Sequence, residues 1–170
     1  PASSMYPRPE YTYKLWMGHG ITTVRGVPSG DMEFSLAEKA RSAKNEIVAP
    51  RIFSYHTLGS GERYADTDIL TPEEARQWVR YIAEEGADGL KLNSHRPAIM
   101  EALLDEAEKH GLGSTAHLEQ MGVAQMNAQD SARLGLGTLT HYYGLFEAMY
   151  ENSDVQPWPV DMNYNNEQHR

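Results

Sequence analysis

What most constrains this chain is the order in which its periodicities alternate. Short apolar runs of strand length, each closed by a polar residue, take turns with segments carrying apolar residues at helical spacing. The sharpest boundary is Thr71-Pro-Glu-Glu74. Thr can cap a helix, Pro is preorganised for the first turn, and Glu three residues after the Thr completes a capping box.

From the amino terminus, the pattern predicts a helix over 10–18, stopped at Gly18 and Gly20, and then a strand over 21–25. A Gly- and Pro-containing loop at 26–30 precedes a second helix in which Met32, Leu36, Ala37 and Ala40 recur. A strand follows over 47–55, and residues 56–70 read as a long loop without periodicity, a kind of segment that in compact domains usually serves a site. The capped helix runs from Thr71 to about residue 85, a strand covers 86–92, and Pro97 opens an amphipathic helix that Gly111 stops. A strand over 114–118, a helix over 123–134, a strand over 137–141 and the start of a helix over 145–150 complete five βα units. After residue 150 the chain turns rich in Asn, Asp, Gln and Pro, and 151–170 reads as a polar extended segment.

Strict βα alternation implies right-handed crossovers and a parallel sheet with helices outside it, either a barrel or a doubly wound open sheet. At 170 residues the chain falls short of the roughly 250 of a complete eight-fold barrel. Periodicity alone does not choose between the two architectures.

Composition removes several classes of function. Fifteen Lys and Arg against 24 Asp and Glu give a net charge of −9 with the basic residues scattered, which argues against nucleic acid. No apolar run approaches the roughly 20 residues that span a bilayer, so no membrane partner is expected. The absence of cysteine excludes thiolate chemistry and disulfides but fits cytosol and periplasm alike, and the compartment stays open. No Gly-x-Ser-x-Gly elbow stands at a strand-to-helix junction, since Gly59-Ser-Gly61 lies within a loop. Neither a dinucleotide fingerprint nor a Walker motif occurs.

In parallel α/β folds the chemistry collects where strands end at their carboxyl side. Here those ends carry Arg25, Tyr55 with His56, Lys91 with Asn93, His117 and His141. A Lys between Leu90 and Leu92 needs a carboxylate partner, an exit to solvent or a modification, because an isolated ammonium in a covered strand is costly. A single strand-end His is commonly a hydrogen-bonded core residue. Lys91, His117 and His141 on three consecutive strands are another matter, since neighbouring strands lie about 4.8 Å apart and two imidazoles at that spacing can share a metal pair. His110 at a helix end and His19 in a turn read as structural. His56 and His95 follow strand ends and are candidate substrate contacts or proton shuttles, and Tyr142, beside His141, joins them. Arg25 would bind an anionic substrate group or form an interior ion pair.

The segments His19-Gly-Ile-Thr-Thr-Val-Arg-Gly26, Gly86-Ala-Asp-Gly-Leu-Lys-Leu92, Ala116-His117 and Gly137-Thr-Leu-Thr-His141, in this order, resemble successive signatures of the amidohydrolase superfamily, in the branch of imidazolonepropionase-like and prolidase-like enzymes. The resemblance runs over about 11–150 and implies a partial TIM-type (β/α) barrel over 1–150, strands two to six of the family's distorted barrel, with 151–170 leading to the part not included. It further implies that Lys91, His117 and His141 are metal ligands, with a carboxylated Lys91 bridging two divalent ions of the zinc type and the two His holding one of them. Such a centre lowers the pKa of a bridging water, and the resulting hydroxide attacks a polarised carbonyl, hydrolysing an amide or a related C–N or ester bond in a small amide or dipeptide-like substrate. The family's His-x-His of strand one and Asp of strand eight have no counterpart here. Asp161 follows His141 by only 20 residues, too few for two further βα units. No residue of the chain is therefore assigned the catalytic proton transfers, and other chain segments or copies are expected to complete the barrel. Two alternatives remain: a non-catalytic fragment acting only within a larger assembly, and a doubly wound ligand-binding domain.

Overall fold

The computed structural model describes residues 9–26, 31–119, 122–123 and 125–149. The expected polar segment at 151–170 and most of the 26–30 loop lie outside the described residues. Five strands, β1 (Thr23–Gly26), β2 (Arg51–His56), β3 (Gly89–Leu92), β4 (Gly113–Ala116) and β5 (Thr138–Leu139), alternate with helices α1 (Pro9–Gly18), α2 (Met32–Ala43), α3 (Pro72–Glu84), α4 (Pro97–Lys109) and α5 (Ala128–Arg133). All neighbouring strands pair in parallel and the spatial order is β1-β2-β3-β4-β5. A doubly wound sheet reverses its strand order at a switch point. This sheet never reverses, and it curls into a half-barrel with the helices between its strands. The doubly wound alternative is thereby overturned, because each crossover places the next strand on the same side of the last.

Helix boundaries follow local chemistry. At the start of α3 the Glu74 N–H donates to Thr71 Oγ1 at 3.3 Å and the Thr71 N–H to Glu74 Oε2 at 2.8 Å, the reciprocal capping box expected from the sequence. The helix expected over 123–134 is shortened to α5. Asn127 accepts from the Asp130 N–H at 3.0 Å and returns its own N–H to Asp130 Oδ2 at 3.2 Å, so the helix begins only at Ala128. Val123 and Met126, within the expected span but ahead of α5, are still buried, from the turn in which the Met126 N–H meets Gly122 O. The element expected from 145 is a single 3-10 turn, Glu147–Met149, and another such turn, Glu62–Tyr64, interrupts the long loop after β2.

The two faces of the sheet differ in kind. On the helix side Leu90, Leu92 and Ala116 are fully buried against Trp78, Val79 and Ile82 of α3 and Leu103 of α4. Across α3 and α4, Glu106 is almost buried and accepts from Arg80 Nη1 at 2.9 Å, with Arg76 and Lys109 beside it. On the inner side, the strand register aligns Arg25 with Phe53, Tyr55 with Gly89, and Lys91 with Thr115. Tyr55 lies against Gly89 and Gly113, where a Cβ would collide with its ring, so the two glycines make room for an aromatic floor. No described helix is long and apolar enough to cross a membrane.

Candidate functional site

Side chains alternate between faces along a strand and share a face with their register partners. Lys91 therefore points into the lumen beside Thr115, and His117, two residues beyond Thr115, leaves β4 on the same side. One more ladder bond, His117 N–H to Leu92 O at 2.9 Å, holds the backbone of His117 in line. On the next strand the Thr140 N–H meets Ala116 O at 2.8 Å, and His141 follows at once. The two imidazoles come to 4.7 Å between ring centroids, nearly edge to face at 67°.

Lys91 is partly buried, forms no ion pair among the described residues, and has Leu92 O at 3.5 Å as its hydrogen-bond acceptor. Burial lowers its pKa, an effect that the Glu119 carboxylate opposes. The same carboxylate opposes the burial that lowers His95, and it counters the burial, His141 and Lys91 that together lower His117. Glu119 thus shares one electrostatic neighbourhood with three of the expected site residues, although sequence reasoning passed over it. Its backbone also stands out. Of the three described non-glycine residues with positive φ, two are Glu119 (59°) and His141 (67°), both at strand ends of the site. Such conformations persist only where the surroundings enforce them.

The remaining expected residues divide. Arg25 lies 5.4 Å over the Tyr55 ring and lines a cavity of about 320 Å³ together with Lys91, Thr115 and Thr140. Tyr142 stacks on Tyr143, with centroids 5.3 Å apart, and Tyr143 in turn stacks on His117. His95 lies in the loop between β3 and α4 and lines a second cavity, of about 370 Å³, with Arg96, Glu119 and Gln125. His56 falls elsewhere. Two residues on from Ser54, it shares the helix side of β2, fully buried, with Nε2 2.8 Å from Ser54 Oγ, itself 2.7 Å from Ser35 Oγ on α2. The strand's alternation, invisible until its register is known, turns His56 away from the lumen, so its expected contact with substrate is corrected to a structural place. His19, bonded through Nδ1 to Leu15 O, and His110, at the end of α4, are structural as expected.

The donor set suits a divalent metal of the zinc type in part. Two converging imidazoles favour such ions, and Lys91 would add an anionic oxygen only as a carbamate. Among the described residues no group of three or more His, Asp or Glu side chains is arranged to hold a metal ion. The fit is that of a half-site.

The fold itself is shared with solved hydrolases. A Xaa-Pro dipeptidase with bound methionine in its active site superposes with a TM-score of 0.60 at 17% identity, over 76% of this chain and 39% of the dipeptidase. An amidohydrolase gives 0.60 at 18% identity, over 83% of this chain and 42% of that one. A bottromycin amidohydrolase gives 0.55 at 20% identity, over 81% and 31%. The chain thus spans about two fifths of the length of the first of these structures, a partial barrel in agreement with the architecture read from the motifs. No protein-family model matches the sequence, and no curated protein is similar to it at the sequence level.

Proposed function

We propose that the chain is a segment of a metal-dependent hydrolase of the amidohydrolase superfamily, acting on amide or related C–N or ester bonds. Its part of the centre is Lys91, His117 and His141. The observation that carries this reading is the meeting of His117 and His141 at the ends of adjacent strands, 4.7 Å between rings, with Lys91 on the neighbouring strand facing the same lumen. The fold it shares with dipeptidase and amidohydrolase structures adds support.

In this reading the Lys91 amine adds to carbon dioxide, forming an N–C bond and releasing a proton, and the resulting carbamate replaces a poorly solvated cation with an anionic ligand. When bound, divalent ions supply Lewis acidity toward the carbonyl and lower the pKa of a water. The chain's own residues orient the rest. Arg25, open to the lumen above Tyr55, takes an anionic group of a small amide or dipeptide-like substrate, and Tyr142 and His95 border the site from the loops after β5 and β3. With no His-x-His pair in the sequence and no counterpart of the strand-eight Asp, the 170-residue chain alone is expected to bind at most one ion tightly and to turn over amides poorly.

Metal titration of the purified chain tests this. Saturable Zn²⁺ or Co²⁺ binding that His117→Ala and His141→Ala each abolish is the expected result. Binding unaffected by both substitutions would refute the assignment and leave the non-catalytic reading, a half-barrel completed within a larger assembly.

A further inference from the structure

Tyr143 was not singled out by any motif, yet it is the side chain best placed to govern the two imidazoles. Its ring stacks on His117, with centroids 5.0 Å apart and planes only 16° from parallel. It meets His141 edge-on at 6.3 Å and 80°. Tyr143 also packs against the main hydrophobic core and stacks with Tyr142 at 5.3 Å. The ring is therefore held by its own packing while it presents a face to His117. The need for such support is plain from the backbone. His141 is exposed and sits at φ 67°, in the turn after a strand of two residues, and His117 lies just past the end of β4. Neither imidazole has a hydrogen bond given by the described residues to fix its rotation, and a ligand free to rotate loses entropy each time it binds an ion.

We propose that Tyr143 is a positioning residue, an aromatic backstop that holds the His117 imidazole, and through it the His117–His141 pair, in the orientation that receives a metal ion. The inference rests on the metal reading above. It predicts that the aromatic ring is what His117 requires, because the contact between them is face to face.

Two measurements on the full chain separate this inference from the reading beneath it. In the metal-free protein, NMR of the histidine side chains should show the His117 ring protons shifted upfield by the stacked Tyr143 ring. Tyr143→Leu should abolish that shift and Tyr143→Phe should keep it. With Co²⁺ as the probe, Tyr143→Phe should bind within about threefold of wild type, whereas Tyr143→Leu should bind about tenfold to a hundredfold more weakly, the usual scale for residues that support metal ligands, with an altered visible spectrum. If Leu unfolds the chain, Tyr143→Met, long and apolar but without a ring, carries the same comparison. Equal affinity and spectra for Leu and wild type would overturn the positioning role, as would an equal loss for Phe and Leu. Failure of the wild-type chain to bind Co²⁺ would overturn the metal reading and the positioning role with it, even if the NMR shift confirmed the ring contact.

Discussion

His56 supplies a test of the fold that needs no ligand. It is wholly buried between β2 and α2, with Nε2 committed to Ser54 and Nδ1 without a hydrogen-bond partner among the described residues. Protonation would place a second N–H donor where nothing accepts it, and burial accordingly pushes the pKa from 6.5 down to about 4, with Asp88 opposing the shift and Lys39 reinforcing it. A base whose pKa is depressed by folding takes up its proton on unfolding, so stability is present at neutral pH and falls as pH drops below 6.5. Between pH 7 and pH 5 the linkage removes about 2 kcal/mol, or about 4–8 °C in Tm for a chain of this size. Urea unfolding of wild type and His56→Gln at the two pH values isolates the contribution, since every other titrating group is common to both chains. The Gln variant should lose about 2 kcal/mol less than wild type over that interval, whatever its own stability at pH 7. Equal losses in the two chains would refute the buried, neutral imidazole, and with it the placement of His56 outside the lumen.

Further substitutions probe the frame. Gly113→Ala should destabilise by about 1–3 kcal/mol through collision with the Tyr55 side chain, and Tyr55→Leu should relieve it; Gly89→Ala also meets the Gly113 carbonyl, so the same second substitution should leave its urea midpoint low. Glu106→Gln should cost about 1–2 kcal/mol at pH 7, because hydrogen bonds from Arg80 and Lys109 outweigh the burial that would raise its carboxyl. With a depressed acid pKa that contribution is present above the carboxylate's ordinary range, so the gap between variant and wild type should close as pH falls through the folded value. Glu147 has the opposite sign. Burial raises its pKa and neither carboxylate oxygen has a side-chain or backbone partner meeting hydrogen-bond geometry among the described residues, so Glu147→Gln should raise Tm at pH 8 and change it little at pH 4.

The architecture was legible because it rests on repeated local signals. Thr71 and Glu74, Pro97, and the glycines at 86 and 111 mark their helix ends whatever the tertiary context. The periodicity alone did not choose between barrel and open sheet, since both share it; the ordered motifs pointed to the barrel, and the unreversed strand order agrees. That Lys91, His117 and His141 would come together could be read from the sequence because strand ends are marked by composition, and the structure brings the two imidazoles to 4.7 Å with Lys91 facing the same lumen. His56 was misjudged because facing depends on register, and a shift of one residue along a strand reverses it. Glu119 and Tyr143 were missed for a different reason. They lie in turns, with no periodic pattern to expose them, and their importance is a matter of which side chains the turn brings within reach. A Tyr doublet immediately after a strand-end His was the one available sign of the aromatic stack at 142–143.

The division of labour between the two faces of the sheet explains how a half-barrel can carry a site. The helix side is the source of stability: Leu90, Leu92, Ala116, Trp78, Val79 and Ile82 lose nearly all contact with water there, each large apolar side chain contributing about 1.5–3 kcal/mol. The lumen side keeps polar and small residues, with Arg25, Arg51 and Thr138 exposed and Phe53 still 42% exposed. That face is unfinished as a core but suited to binding, because side chains that are not needed for packing are free to be selected for contact with a ligand. It follows that substitutions at Arg25 or His141 should leave unfolding nearly unchanged while altering binding, whereas the helix-side His56 should do the reverse. On the proposed reading, the chemistry depends less on what holds the chain together than on what closes the lumen opposite Lys91, His117 and His141.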